Sequence, residues 1–336
     1  MRTFQSRMII GIALLFGLAG CGQSNQSSAE AETEQEASES IRVAQTGWGN
    51  IEEALTAAGL DDTPYDIEYS VFQGGNLILE AMTAGHVDFG VTSEIPPIFS
   101  SLSQKGDQSQ VIAVQQSNTL NQELIVQEGS DIETVTDLKG KKVAYVQNTT
   151  AHYFLIKMLE EAGLTWEDVD AVELTTSDGI AALLGGNVDA LASYGNAIIS
   201  GHQKGAKTIA SAKEILSGDF HVNANIDAIN DPTKQEAIVD LLDRINQAQQ
   251  WQRENAEEWS EIVAKNTNQP YELAFQTFKE GEEQQPTRIV PLSKTTTDSQ
   301  QDIVNVFHSA GIIDQEIDVS EFWDHEFDER LAEVLK

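Results

Sequence analysis

Leu79-Glu80-Ala81-Met82-Thr83-Ala84-Gly85-His86-Val87-Asp88 is answered, about a hundred residues later, by Ile180-Ala181-Ala182-Leu183-Leu184-Gly185-Gly186-Asn187-Val188-Asp189. Each stretch reads as the end of a helix, a tight glycine turn and the start of a strand. Outward from these, Val43-Ala44-Gln45 through Ala57-Ala58-Gly59-Leu60 is matched by Val143-Ala144-Tyr145 through Glu161-Ala162-Gly163-Leu164, a strand followed by a helix in both. A strand-helix unit repeated at this period predicts two similar α/β lobes. Two lobes facing each other leave a cleft, a preferred place for a small ligand.

The remaining patterns fill in that plan. Asp66 to Phe72 alternates as a strand, Asn76 to Thr83 reads as a helix, and Val111 to Val114 and Glu123 to Val126 read as two further strands. In the second copy a helix runs from about Ala151 to Ala162, with strands at Val169 to Leu174, Val188 to Ser193 and Thr208 to Ala210. Ile238, Leu241, Leu242 and Ile245 then fall on one face of a long helix. The mostly helical remainder has no counterpart in the second copy and is expected to return to the first lobe. The expected divisions are residues 41–128 for the first part of lobe 1, 129–225 for lobe 2, and 226–336 for the return to lobe 1.

Arg2 and Arg7 precede an apolar run from Met8 to Ala19, the pattern of a secretory signal over residues 1–20. The run is shorter than the roughly 20 apolar residues a membrane span needs. Cys21, the single cysteine, follows Leu18-Ala19-Gly20 and resembles the lipobox of bacterial lipoproteins, whose thiol is acylated, commonly with palmitate. An ordinary signal with a chance cysteine is the alternative. One cysteine provides no disulfide framework. Residues 21–40 hold no aromatic or branched aliphatic side chain and several glutamates, so they are expected to be a flexible acidic tether. The formal charge of −34 argues against binding nucleic acid or anionic lipid through charge.

Three stretches resemble the substrate-binding proteins of ABC importers for aliphatic sulfonates, within the larger family that also binds nitrate, taurine and thiamine precursors. They are Val87-Asp88-Phe89-Gly90-Val91-Thr92-Ser93-Glu94-Ile95-Pro96-Pro97-Ile98-Phe99, Asp137-Leu138-Lys139-Gly140-Lys141-Lys142-Val143-Ala144, and Thr149-Thr150-Ala151-His152-Tyr153 with Glu161-Ala162-Gly163-Leu164. The resemblance implies a two-lobe periplasmic-binding-protein-like fold (type II), each lobe a mostly parallel sheet flanked by helices. It also implies capture of a small sulfonate-like anion and its delivery to an ABC permease, by an extracytoplasmic monomer held to the membrane through Cys21. By the same resemblance the ligand's head meets Gln45, Thr46 and Gly47, then Thr92, Ser93 and Glu94, then Thr149, Thr150, Ala151 and His152. Tyr194-Gly195-Asn196 stands where the family often carries Trp-Asp-Pro, a departure in one wall of the cleft.

The residues give their own reasons. Thr149 and Thr150 stand at a helix start, where unpaired N–H groups and the positive dipole end favour an oxyanion. Capping of that helix is the plainer alternative. Glu94 would repel an oxyanion; it either receives an ammonium group, as in taurine, or caps a neighbouring helix. Trp48 and Tyr194 either line an organic tail or belong to the core, while Trp251 and Trp259 read as packing. His86, His202, His221, His308 and His325 show no metal-ligand spacing, and no cofactor is expected. No nucleophile elbow, phosphate loop or zinc motif is present, which favours a binder over an enzyme. Nitrate, bicarbonate or a pyrimidine as the solute, a pyrimidine-precursor synthase, and a sensory lipoprotein remain the alternatives.

Overall fold

The computed structural model describes residues 40–103 and 108–335. The expected signal segment, Cys21 and all but the last residue of the tether lie outside them. The first lobe starts with strand β1 (Ser40–Thr46), helix α1 (Asn50–Ala58), β2 (Asp66–Phe72), α2 (Gly75–Thr83), β3 (Phe89–Ser93), α3 (Ile95–Ser101) and β4 (Ser109–Gln116). Residues 117–121 cross to the second lobe, built from β5 (Gln122–Val126), β6 (Lys142–Tyr145), α4 (Thr150–Glu161), β7 (Asp170–Glu173), α5 (Thr176–Leu184), β8 (Ala190–Tyr194), α6 (Asn196–Gln203) and β9 (Lys207–Ser211). Residues 212–218 cross back to β10 (Asp219–Asn225). There follow α7 (Ile226–Ile229), α8 (Pro232–Glu254), α9 (Ala256–Thr267), α10 (Tyr271–Gln284), β11 (Arg288–Val290), α11 (Lys294–Ser309) and α12 (Asp328–Val334).

The two sheets have the same plan. The first runs β2-β1-β3-β10-β4-β11 and the second β7-β6-β8-β5-β9. In each, three parallel strands of the strand-helix repeat are followed by one strand that enters antiparallel from the other side of a crossover: β10 in the first sheet and β5 in the second. Both sheets are therefore mixed rather than mostly parallel. β5 falls inside residues 41–128 and β10 inside 129–225, yet each pairs in the opposite lobe from the one those divisions gave it. Alternating apolar residues identify a short strand but carry no information about which sheet accepts it.

The repeat extends to single hydrogen bonds. Asp88 Oδ2 accepts the backbone N–H of Arg42 at 3.0 Å, and Asp189 Oδ2 accepts that of Lys142 at 2.7 Å. Each aspartate thus ties the entry of one strand to its neighbour. Both sheets are covered on two faces. Leu55 of α1 and Ile238, Leu241, Leu242 and Ile245 of α8 cover one face of the first sheet, and Ile78, Leu79 and Met82 of α2 the other. Phe154, Leu155 and Met158 of α4 cover the second sheet opposite Leu183 and Ile198. A further cluster joins the lobes: Ile95 and Ile98 of α3 and Val114 of β4 pack with Tyr153 and Ile156 of α4 against Phe307 of α11. The C-terminal return therefore packs on both lobes, and not on the first alone.

Candidate functional site

In both sheets the parallel strands end, and the following helices begin, on the side facing the other lobe, where ligands of open α/β sheets are held. A cavity of about 260 Å³ lies there. Gln45, Thr46, Gly75, Thr92 and Ser93 line it from the first lobe, and Gln122, Thr149, Thr150, Tyr194 and Gly195 from the second. None of its lining residues is charged. Thr46, Tyr194 and Gly195 also border an outer cavity of about 460 Å³, with Gly47, Trp48, Phe72 and Ile180 in its walls.

Gln45 is the most constrained of these side chains. It is 1% exposed, and its Oε1 accepts the N–H of Ile51 at 2.6 Å and of Glu52 at 3.3 Å, so it caps α1 in place of a serine or threonine. With the carbonyl so held, the orientation of the amide is fixed, and Nε2 is left buried without an acceptor. A buried donor in that condition costs about 1–3 kcal/mol until something accepts from it. Tyr194 Oη is likewise buried without a hydrogen bond of normal geometry, and burial pushes its phenol up to about 12, with Thr149 pulling weakly the other way.

Two helix starts face the same space. α4 begins at Thr150, whose hydroxyl donates to Gln122 Oε1 at 2.5 Å. Thr149 is the cap: its hydroxyl accepts from Ala151 N–H and donates to Val146 O at 2.7 Å. The threonine side chains are thus engaged within the protein, and Thr149 also takes the N–H groups of Ala151, His152 and Tyr153, so what α4 offers a ligand is the Thr150 N–H and its positive end. α2 begins at Gly75 from the other lobe. A Cβ there would lie 2.8 Å from Thr92 Cβ, so glycine is what lets the helix start approach β3 this closely. Thr92 Oγ1 accepts from Asn223 Nδ2 at 3.0 Å and donates to Ser93 O at 2.8 Å, so this hydroxyl too is engaged within the protein.

Of these two cavities Gly47 and Trp48 border only the outer, and the structure separates three further expected residues from both. Ala151 is fully buried under the start of α4. His152 turns into the seam between the lobes, ringed by Tyr145 at 4.9 Å, Phe307 at 5.0 Å, Trp166 at 5.1 Å and Phe99 at 6.2 Å. Burial lowers its pKa to about 4, so it is neutral there. Glu94 points toward the second crossover, where its Oε2 accepts from Ser217 at 2.5 Å, and burial raises its carboxyl to about 8. Its backbone carbonyl accepts from Gln300 of α11 at 2.9 Å. Neither role expected of Glu94 fits, since it meets neither the cavity nor a helix N–H among the described residues. Trp48 stacks on Trp259 at 5.7 Å and edges the outer cavity as well.

Sequence reasoning passes over Gly75, Gln122 and three residues that join the lobes at the cavity mouth. Thr176 Oγ1 and Ser177 Oγ of α5 donate to Gln73 Oε1 of the first lobe at 3.1 and 2.7 Å. The internal repeat holds the signal, because the offset that aligns Leu79 with Ile180 also aligns Gly75 with Thr176 and Ser93 with Tyr194. Among the described residues no group of acidic, histidine or cysteine side chains is arranged for a metal, and no helix is long and apolar enough to cross a membrane.

This arrangement has known counterparts. An Escherichia coli (strain K12) protein, provisionally described as an aliphatic sulfonates-binding protein, is 28% identical over 259 residues, covering 75% of this chain and 77% of its own. The crystal structure of the periplasmic aliphatic sulphonate binding protein SsuA from Escherichia coli superposes with a TM-score of 0.70 at 25% identity, over 85% of this chain and 92% of that one. The alkanesulfonate-binding protein SsuA from Xanthomonas axonopodis pv. citri, bound to MOPS, gives a TM-score of 0.73 at 21% identity, over 85% and 98%. Residues 64–258, more than half of the sequence and running from the first lobe through the second and into α9, match the family model described as NMT1/THI5 like, and the chain belongs to that family.

Proposed function

We propose that this chain is the extracytoplasmic solute-binding component of an ABC importer, which captures a small sulfonate-like anion between its lobes and passes it to a membrane permease. One observation carries the reading: a cavity walled by both lobes in which donors are present and charged side chains are not. Gln45 Nε2 and Tyr194 Oη, both lacking acceptors, and the starts of α2 and α4 provide the positive potential. A sulfonate offers three acceptor oxygens and a single negative charge, which partial charges of this kind can balance. The net charge of −34 does not forbid it, because at physiological salt surface carboxylates beyond about 8 Å are largely screened.

The relatives' described roles as sulfonate binders support the choice of solute. The contacts of Gln73 with Thr176 and Ser177 fit lobes that close over it by bending at residues 117–121 and 212–218. With His152 and Glu94 both turned away, the cavity holds no acid-base pair, and binding without turnover is the reading adopted. Cys21 is assigned as the lipid anchor of a monomer that works outside the cytoplasmic membrane. A thermal-shift panel of short alkanesulfonates, taurine, nitrate and a thiamine-precursor pyrimidine tests the reading. Stabilisation by alkanesulfonates is the expected result, and stabilisation by the pyrimidine or nitrate alone would replace it. Mass spectrometry of the membrane-extracted protein tests the acylation of Cys21.

A further inference from the structure

A side chamber of about 220 Å³ adjoins the cavity within the first lobe, sharing Asn50, Ile51, Gln115 and Asn118 with it as common walls. Ala54 and Leu55 of α1, Ala248 of α8, Trp259 of α9 and Phe278 of α10 form the apolar part of its walls, and Ser117, Gln249, Gln252 and Glu282 stand among the polar residues of the rest. Its unpaired polar atom is an acceptor, where the cavity's are donors. Gln249 of α8 is 6% exposed and lines the chamber; its Nε2 donates to Gln115 Oε1 at 3.0 Å, and its Oε1 is buried without a donor. The carboxylate in the wall, Glu282, is engaged by Arg253 at 3.5 Å and by the N–H of Thr287 at 3.2 Å. Residues with unmet donors therefore line one space and a residue with an unmet acceptor lines the next, with Gln115 in the lining of both.

We propose that the solute's organic tail enters this chamber and ends in a hydroxyl or amine that donates to Gln249 Oε1. The substrate class is then a sulfonate with a short apolar chain and a terminal hydrogen-bond donor, and not a plain alkanesulfonate. This rests on the sulfonate reading of the main cavity. It extends that reading because a buried amide oxygen discriminates against a chain end that leaves it unpaired.

Calorimetry with methanesulfonate, propanesulfonate, and the terminal hydroxy and amino derivatives of propanesulfonate tests it on the wild type, Gln249→Met and Gln249→Asn. The wild type is expected to prefer a donor-ended solute over propanesulfonate by about tenfold, the effect of one buried hydrogen bond. Gln249→Met deletes the acceptor and Gln249→Asn withdraws it, so both should bring that ratio to about one with methanesulfonate affinity unchanged. A wild type indifferent to the chain end, or a preference that survives in both variants, overturns the assignment of Gln249. Absence of methanesulfonate binding in the wild type overturns the sulfonate reading itself, and this inference with it.

Discussion

One end of helix α4 serves two regions of opposite character. On the cleft side Thr149 and Thr150 border a cavity whose lining residues include side chains with unmet donors and none with a charge. On the seam side, within the same turn, His152 is enclosed by four aromatic rings and Tyr153 packs with Phe307 of α11. The cleft leaves polar groups unsatisfied, so a ligand has something to bring. The seam also leaves His152 Nε2 buried without a hydrogen bond, but encloses it among aromatic rings and outside the cavity lining, where no ligand reaches it. A run of four residues that reads as a single binding motif in sequence is thus divided by the 3.6-residue turn into a binding edge and a structural one.

The largest expected effect tests that division. His152→Ala empties space among four rings and should cost about 3 kcal/mol of stability in denaturant unfolding, in the range of large-to-small core substitutions. Alkanesulfonate affinity measured where the variant is folded should stay within about twofold of the wild type, since His152 touches no ligand; a tenfold loss would return it to the site. Gly75→Ala acts on the cleft instead. Its Cβ meets Thr92 at 2.8 Å, so about 2 kcal/mol of overpacking strain is expected, together with weaker binding as the start of α2 is pushed back.

Glu94 sharpens the comparison through pH. Its folded carboxyl titrates near 8 against an ordinary 4.5, with burial as the chief cause and Ser217 opposing it. Between those values the folded state holds a proton that the unfolded chain has lost. Its contribution is therefore complete below pH 4.5 and lost as pH rises through 8. His152 works in the opposite sense: burial alone lowers it from 6.5 to about 4, so its contribution is complete above 6.5 and lost as pH falls through 4. Melting curves should show Glu94→Gln flattening the alkaline decline and leaving the acid one; an unchanged alkaline limb would contradict the buried placement of Glu94.

The smallest effect belongs to the mouth. Thr176→Ala with Ser177→Ala removes both donors to Gln73 and should speed ligand release by about threefold to tenfold, read by stopped flow, with little change in melting temperature. An unchanged release rate would mean that these contacts do not hold the lobes closed.

Much of the fold is legible in the order of the residues. The repeat discloses the two lobes, the glycine turns place the helix ends, and the spacing of Ile238, Leu241, Leu242 and Ile245 marks the buried face of α8. Illegible are the sheets to which β5 and β10 belong, since a strand's alternation is the same in either. Side-chain direction at helix starts is hidden for a similar reason. Nothing in Gln45-Thr46-Gly47 tells that the Gln45 carbonyl turns forward to cap α1 and so aims its amide nitrogen, and nothing in Glu94 announces Ser217 as its partner across the crossover.

Gln45 is where the claim of an anion held by neutral donors is most exposed. Gln45→Glu keeps an oxygen to cap α1 and replaces the fixed donor by a carboxylate. Titration calorimetry of one short sulfonate into the wild type and this variant, at low and high salt, should give wild-type binding that salt changes by less than about threefold, and no detectable heat with Gln45→Glu. Equal affinity in the two proteins, or wild-type binding that salt abolishes, would contradict it.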